Sequence, residues 1–580
     1  MPIRWAYLKR VLAGAIFGLY MAHLLYFLNP QVDVTQARLA AFTFIYGIIC
    51  GLLFGSALWL LRIMRVRIFG SPAAEGTYRA HGFGFVVLAA FLASAIYWMH
   101  VLVFRRPQDQ VGAIYLPIGA VRVLSKSANL ITITAFALLA LWVAERSANR
   151  RLSRVIFVAG VVLIAASSFF LYQGREHYRT ETRNVVVADI GTVAGRRPVI
   201  VVAIRNLPYD WILTMAGEGE LPFFEQARTQ ASFTRLEPFK TTSPKALWAS
   251  LATGKLPYQH GVTGRFSYRT LFNGPDPTER FLILPSGIGF RIWGLIPPVK
   301  RISAQLPAGD SLPLWTLFER LSFRAAVVNW PSSIPSGASR VITDEYFQKP
   351  EARGVIPPQI EASVRRELRA PDSAVAQRFN GAGPARPRIL EGLGHDLSAI
   401  AVVRDAATDR EFELSVVALE GFSEAQRAIH IFANDLPPRS SLKGAALRAY
   451  AEQLDRMLGE LARDFPDHLL IVVSPSAPST PNIPANIFAI TKAAILPEDP
   501  GADDGFMLIA GPGVTHRENL RTAYAVDLVP TVLFAAGLPV GRDMDGRVMN
   551  DAFAEDLRSN TLFIQTYEAK QIVVQRSGSR

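Results

Sequence analysis

One cysteine occurs in 580 residues, Cys50, and it sits inside an apolar run, so the chain can build no intramolecular disulfide, no CxxC metal knuckle and no thiol redox pair. Lysine is scarce as well, with ten Lys against fifty-one Arg. Basic residues outnumber acidic ones, 61 to 48, for a formal charge of +13, but no compact basic stripe interleaved with aromatics occurs. Nucleic acid is therefore not an expected partner. Disorder is excluded too, because half of the residues are hydrophobic and only 19% are charged. Gly254-Lys255 lacks the upstream glycine and the Ser/Thr of a phosphate-cradling loop, and Gly287-Ile288-Gly289 lacks the strand-to-helix context of a dinucleotide site.

What is present first is apolar sequence. Five stretches crowd the first third: Trp5 to Leu28, Leu39 to Leu61, Phe83 to Phe104, Leu130 to Val143 with its flanks, and Val155 to Tyr172. Each approaches the roughly 20 residues that cross a bilayer as a helix, and the reading is five transmembrane helices. Arg62, Arg65, Arg67 and Arg79 lie between the second and third, and Arg146, Arg150, Arg151 and Arg154 between the fourth and fifth. Those connections are expected in the cytoplasm, which puts the multi-pass chain in the plasma (inner) membrane with its N-terminus cytoplasmic and its C-terminal domain extracytoplasmic. His23 and His100 lack the acidic partners of a proton relay, and Trp5, Tyr26, Trp98 and Trp142 read as interfacial anchors.

Beyond Tyr172 the pattern changes. Val199 to Ile204, Arg324 to Asn329, Glu413 to Leu419 and Leu469 to Val473 are short buried runs of strand length, and Leu221 to Ala231 reads as helix. Ala446 to Leu461 is helical also, with Tyr450, Leu454, Met457, Leu458 and Leu461 on one face. The alternation predicts an α/β domain with a largely parallel central sheet, with chemistry at the carboxyl ends of its strands. The expected division is 1–174 membrane domain, 175–198 juxtamembrane linker, 199–560 extracytoplasmic α/β domain and 561–580 C-terminal tail.

Ordered motifs then point to a family. Leu221-Pro222-Phe223-Phe224, the run Thr241-Thr242-Ser243-Pro244-Lys245 to Gly254-Lys255-Leu256-Pro257, and His260-Gly261 resemble the nucleophile region of the type I phosphodiesterase and nucleotide pyrophosphatase branch of the alkaline phosphatase superfamily. Leu314 to Glu319 with Ala325 to Pro331, Tyr450 with Leu454-Asp455, and Asp527-Leu528-Val529-Pro530-Thr531 with Asp543-Met544-Asp545-Gly546 resemble later segments of the same branch. The resemblance runs from about Val199 to Met549 and implies an alkaline-phosphatase-like fold. It also implies a Thr or Ser nucleophile activated by two divalent cations, commonly zinc, held by Asp and His.

Thr242 fills the nucleophile position, but the ligand positions are altered. The resemblance puts Arg205-Asn206 where an Asp-Gly belongs after the first strand, Ser423 and Arg427 where a middle Asp and His belong, and Ser474-Pro475-Ser476-Ala477 in place of Ser-Asp-His-Gly. Gly501-Ala502-Asp503-Asp504 offers no last His. No metal or other cofactor is expected on this reading. Two zinc-like ions belong only to the alternative, a displaced site drawn from Glu424, His430, Asp503 and His516. Thr242 also has a plain structural role open to it, as the cap of a helix starting at Pro244.

The favoured reading is a membrane-anchored, catalytically inactive phosphodiesterase-like domain. Arg205, Thr242, Lys245 and Arg427 would face one pocket and bind an anionic headgroup or glycan phosphate, with membrane lipid and an envelope protein as further partners. The alternative is a working metal-dependent phosphodiesterase or phosphotransferase on lipid-linked or envelope substrates. The layout of the chain also resembles that of lipid A phosphoethanolamine transferases and lipoteichoic acid synthases.

Overall fold

The structure is a computed structural model. Beyond single positions and short runs between residues 11 and 105, it describes residues 120–146, 149–173, 185–191, 197–237, 244–262, 266–269, 300–303 and, with short gaps, 311–475 and 504–577. The chain divides into two compact units: Met1–Thr180 with Phe266–Ser303 and Asn486–Pro497, and the remainder.

In the first unit, α1 (Ala120–Arg146) and α2 (Arg150–Gln173) pack on one another. Asn149 starts α2 by accepting the amides of Arg151 at 3.1 Å and Leu152 at 3.3 Å. Close approach falls at Gly160, where a Cβ would lie 2.6 Å from Leu141, and a buried Thr134–Ser167 hydroxyl pair bridges the helices at 2.7 Å. This corrects the expected five-span membrane domain. Among the described residues, no helix is long and apolar enough to cross a membrane. In α1, Arg122 and Lys126 precede an apolar part that carries Ser127, Asn129, Thr132 and Thr134, and α2 opens on Arg150, Arg151 and Arg154. The stretch at 5–28 lies largely outside the described residues and those at 39–61 and 83–104 in part, and His23 and His100 lie outside them.

In the second unit β1 (Val185–Gly191) pairs parallel with Gln571–Ser577, and the unit is built on a nine-stranded sheet. Its centre is β2 (Val199–Ile204), whose sequence Val-Ile-Val-Val-Ala-Ile is buried throughout. Such an unbroken apolar run suits a strand covered on both faces. The other strands are β3 (Ser232–Glu237), β4 (Arg324–Val328), β5 (Arg340–Ile342), β6 (Val355–Ile356), β7 (Phe412–Leu419), β8 (Leu469–Ser474), β9 (Gly505–Ala510) and β10 (Ala523–Tyr524). The order across the sheet is β10-β3-β9-β8-β2-β7-β4-β5-β6. Parallel pairing places Val199 opposite Leu469 and Leu414, and Ile204 opposite Leu419.

The expected largely parallel sheet is in fact mixed, because β9 runs antiparallel to both β8 and β3 and β6 runs antiparallel to β5. In β3 the buried residues alternate with half-buried ones, Ser232, Thr234 and Leu236 inward, the pattern of a strand covered on one face. The remaining neighbours, β10–β3, β4–β7 and β4–β5, are parallel.

Helices α3 (Tyr209–Gly217), α4 (Pro222–Gln230), α5 (Pro244–Thr253), α6 (Leu314–Arg320), α7 (Asp344–Gln348), α8 (Arg386–Thr408), α9 (Gly421–Ala428) and α10 (Leu442–Asp464) complete the described frame around the site. Helix α10 starts at Ser441, whose side chain accepts the Gly444 amide at 2.9 Å, and it buries the face of Tyr450, Leu454, Leu458 and Leu461. Asp455 on α10 accepts the amides of Phe223 at 3.1 Å and Phe224 at 3.0 Å, so it caps α4, whose own N-cap Leu221 has no side-chain oxygen. Burial pushes the Asp455 carboxyl up to about 6 in spite of those donors. Trp330, just past β4, sits edge-on to Trp248 of α5 at 5.0 Å and packs against Trp315 of α6 at 5.8 Å, which fixes α5 beside the strand ends.

Lys255, the lysine of the incomplete phosphate-loop match, is buried at the end of α5 between Asp543 and Glu568. Burial opposes its charge, but Glu568 and Asp543 outweigh it and raise the ammonium above its usual range.

Tight packing at Gly421 makes a direct test. A Cβ there would lie 2.0 Å from the Tyr450 hydroxyl and 2.5 Å from the Gly392 carbonyl oxygen, whereas nothing stands within 4 Å of one at Gly217. Gly421→Ala is expected to lower stability in denaturant unfolding by roughly 1–3 kcal/mol, and Gly217→Ala to leave it level or raise it by up to about 1 kcal/mol.

Candidate functional site

The carboxyl ends of β2, β7 and β8 lie side by side, and the segments that follow them close on one another. Arg205 extends the β2–β7 pairing by one residue, its amide donating to the Leu419 carbonyl at 2.9 Å. The next residue, Asn206, has a left-handed φ of 61°, which turns the chain away from the sheet. After glycine, asparagine is among the residues that tolerate this conformation best, so Asn206 serves the turn that the family resemblance assigns to a glycine.

A hydrogen-bonded lattice covers these ends. Asn206 Nδ2 donates to Ser423 Oγ at 2.9 Å, Gln426 Nε2 donates to the Asn206 carbonyl at 3.2 Å, and the Leu207 amide donates to Ser474 Oγ at 3.1 Å. Ser423, Gln426 and Ser474 are buried. Beside them, one guanidinium nitrogen of Arg205 spans both carboxylate oxygens of Glu420, at 3.1 and 2.9 Å, with about a quarter of each side chain exposed. Asp344, in the first turn of α7, is raised above its ordinary range by burial and then by the charge of Glu420.

The four sequence-predicted site residues fall in different places. Arg205 joins this lattice through Glu420. Arg427 lies on the exposed side of α9, its Nε donating to the Ser423 carbonyl at 3.3 Å, so the two guanidinium groups make separate contacts. Lys245 is half-buried in the first turn of α5. Thr242 lies outside the described residues.

The lattice does not fit a dinuclear metal centre. Its members are an amide, hydroxyls and a guanidinium, and its one carboxylate, Glu420, is engaged by Arg205. A guanidinium beside a divalent cation is repelled by an energy on the order of kcal/mol even at high effective dielectric. Asp210 and Asp504 are engaged elsewhere. Arg235 pairs with Asp210 at 3.1 Å and with Asp504 at 2.7 Å, and its guanidinium lies 4.8 Å from the Tyr209 ring centre. Of the displaced set, His516 Nδ1 contacts the Ala231 carbonyl at 3.1 Å, His430 is exposed, and Asp503 lies outside the described residues. Among the described residues, no three His, Cys, Asp or Glu side chains are grouped to hold a metal ion.

A Ser–His contact also occurs, between Ser250 Oγ and His260 Nε2 at 2.9 Å. The Val262 amide donates to His260 Nδ1 at 3.1 Å, so Nδ1 is the acceptor and the proton resides on Nε2, facing Ser250. Burial lowers the ring to about 3. His260 is therefore a neutral, buried donor to Ser250 and not its base.

Sequence reasoning missed Asp396. This carboxyl on α8 is fully buried, and its Oδ1 accepts the amides of Glu420 at 3.1 Å and Gly421 at 3.2 Å, while Oδ2 accepts the Tyr450 hydroxyl at 2.9 Å. The available signal was a lone Asp on the apolar helical face of Leu393, Ile400 and Val403.

Residues 199–475, less than half of the chain, match the family model for type I phosphodiesterase / nucleotide pyrophosphatase. No curated protein matches the chain. Among solved structures, murine ectonucleotide pyrophosphatase / phosphodiesterase 5 is 12% identical, over 62% of this chain and 100% of that one, with a TM-score of 0.34. The phosphonate monoester hydrolase of Silicibacter pomeroyi is 13% identical over 61% and 75%, with a TM-score of 0.36. Alkaline phosphatase PafA is 10% identical over 62% and 100%, with a TM-score of 0.37.

The Arg205–Glu420 pair has a measurable consequence. In a double-mutant cycle of Arg205→Ala and Glu420→Ala, denaturant unfolding is expected to give a coupling energy of roughly 1–2 kcal/mol, because each single change leaves a partly buried charge without its partner.

Proposed function

We propose that the α/β unit is a phosphodiesterase-fold binding module that takes an anionic group, a phosphate ester of a headgroup or glycan, without hydrolysing it. The observation that supports this most is Arg205 at the carboxyl end of the central strand, with a carboxylate as its resident counter-ion. An incoming oxyanion can replace Glu420 on the guanidinium and meet further positive charge from Lys245 and Arg427. Guanidinium groups suit this task because their planar donors match phosphate and carboxylate oxygens. Thr242 in this reading precedes the helix at Pro244 and carries no nucleophilic role, and an envelope protein is the partner to consider if no small anion binds.

Calorimetry of the full chain with inorganic phosphate and with glycerophosphate tests the reading. The expected result is saturable binding that weakens at least about tenfold in Arg205→Ala/Arg427→Ala, the loss of about 1.4 kcal/mol of binding free energy. Absence of anion binding, or binding indifferent to both substitutions, contradicts it. Turnover of a simple phosphodiester that disappears in Thr242→Ala would establish the catalytic alternative instead.

A further inference from the structure

The buried carboxyl of Asp396 lies one layer beneath the site and has no part in the reading above. Three elements meet at it. Helix α8 supplies the carboxyl, the turn into α9 supplies the amides of Glu420 and Gly421, and α10 supplies the Tyr450 hydroxyl. Helix α9 has no cap from its own N-cap residue, Glu420, whose side chain is on Arg205. The first turn of α9 is thus held from another helix. It carries Ser423, the partner of Asn206, and follows directly on Glu420, the partner of Arg205.

We propose that Asp396 is a positioning residue of the site: a proton-operated latch that holds the first turn of α9 against α8 and α10, and through it sets Glu420 and Ser423 against Arg205 and Asn206.

The charges around it favour a proton. Burial, foremost, and then the carboxylates of Glu420 and Glu424 raise Asp396 to about 7, against the opposing hydrogen bonds from Tyr450 and the Gly421 amide. Asp344 on α7 adds to the acidic surroundings through Glu420. When the proton arrives it goes to Oδ2, which then donates to the Tyr450 oxygen and reverses that hydrogen bond. Oδ1 goes on accepting both amides. The protonated latch keeps its cap and loses its repulsion from Glu420 and Glu424. Opening of the α9 turn returns Asp396 to an ordinary carboxyl near 4. The closed state therefore binds the proton more tightly, and closure is strongest at low pH and weakens as pH rises toward about 7.

Hydrogen exchange of peptides spanning 420–428 in the full chain, corrected for intrinsic rates, tests the latch. Protection is expected to fall by up to about tenfold per pH unit from about pH 5 to about pH 7 and to level off above that. Asp396→Asn mimics the protonated form, since its Oδ1 can accept both amides and its Nδ2 can donate to Tyr450, and its protection should be flat over the same range. Tyr450→Phe removes a donor to the charged form and should move the midpoint to higher pH. The other raised carboxyls, Asp344, Asp455 and Asp545, are unchanged in both variants. A slope that persists in Asp396→Asn, or a midpoint unmoved by Tyr450→Phe, overturns the proposal, and the second arm stands alone should the Asn variant fail to fold.

Discussion

The contact on which the site depends is the ion pair between Arg205 and Glu420, which ties together the ends of two adjacent parallel strands. Its cation is part of the chain. A guanidinium fixed at the end of β2 supplies positive charge without a metal ion, and Glu420 neutralises it in a partly buried setting where an unpaired charge would cost several kcal/mol. Once that pair is in place, the neighbouring groups need only be satisfied among themselves. Asn206, Ser423, Gln426 and Ser474 are joined by neutral hydrogen bonds, with Gln426 Oε1 left buried and without a partner among the described residues, and this is the opposite of the concentrated negative charge that a pair of divalent cations requires.

The lattice also ties the segments that follow the three central strands to one another. Buried polar groups are costly only when unpaired. Asp396 carries this one layer further. It satisfies two amides of the α9 turn and a tyrosine hydroxyl at once, so α8, α9 and α10 share a single buried group.

Much of the α/β unit was legible in the sequence because its strands are short, unbroken apolar runs. Val199 to Ile204 and Leu469 to Val473 declare strands buried on both faces, and the face of Tyr450, Leu454 and Leu461 declares a helix. Strand direction was not legible, since the apolar run of β9 serves either sense, and the sheet is mixed where a largely parallel one was expected. The length and hydropathy of the first third read as membrane spans, but among the described residues no helix is long and apolar enough to cross a membrane. At the site, the place of Arg205 just after the first apolar run could be read from the sequence. The partner of Arg205 could not, because Glu420 lies 215 residues away and only the pairing of β2 with β7 brings the two together.

The proposed function rests on Arg205 taking the anion where a metal centre would otherwise do so. Elemental analysis of the full-length protein, purified without chelator and dialysed against zinc and manganese, tests it most directly. The account predicts well below one equivalent of either metal per chain. Two equivalents retained through dialysis would contradict it.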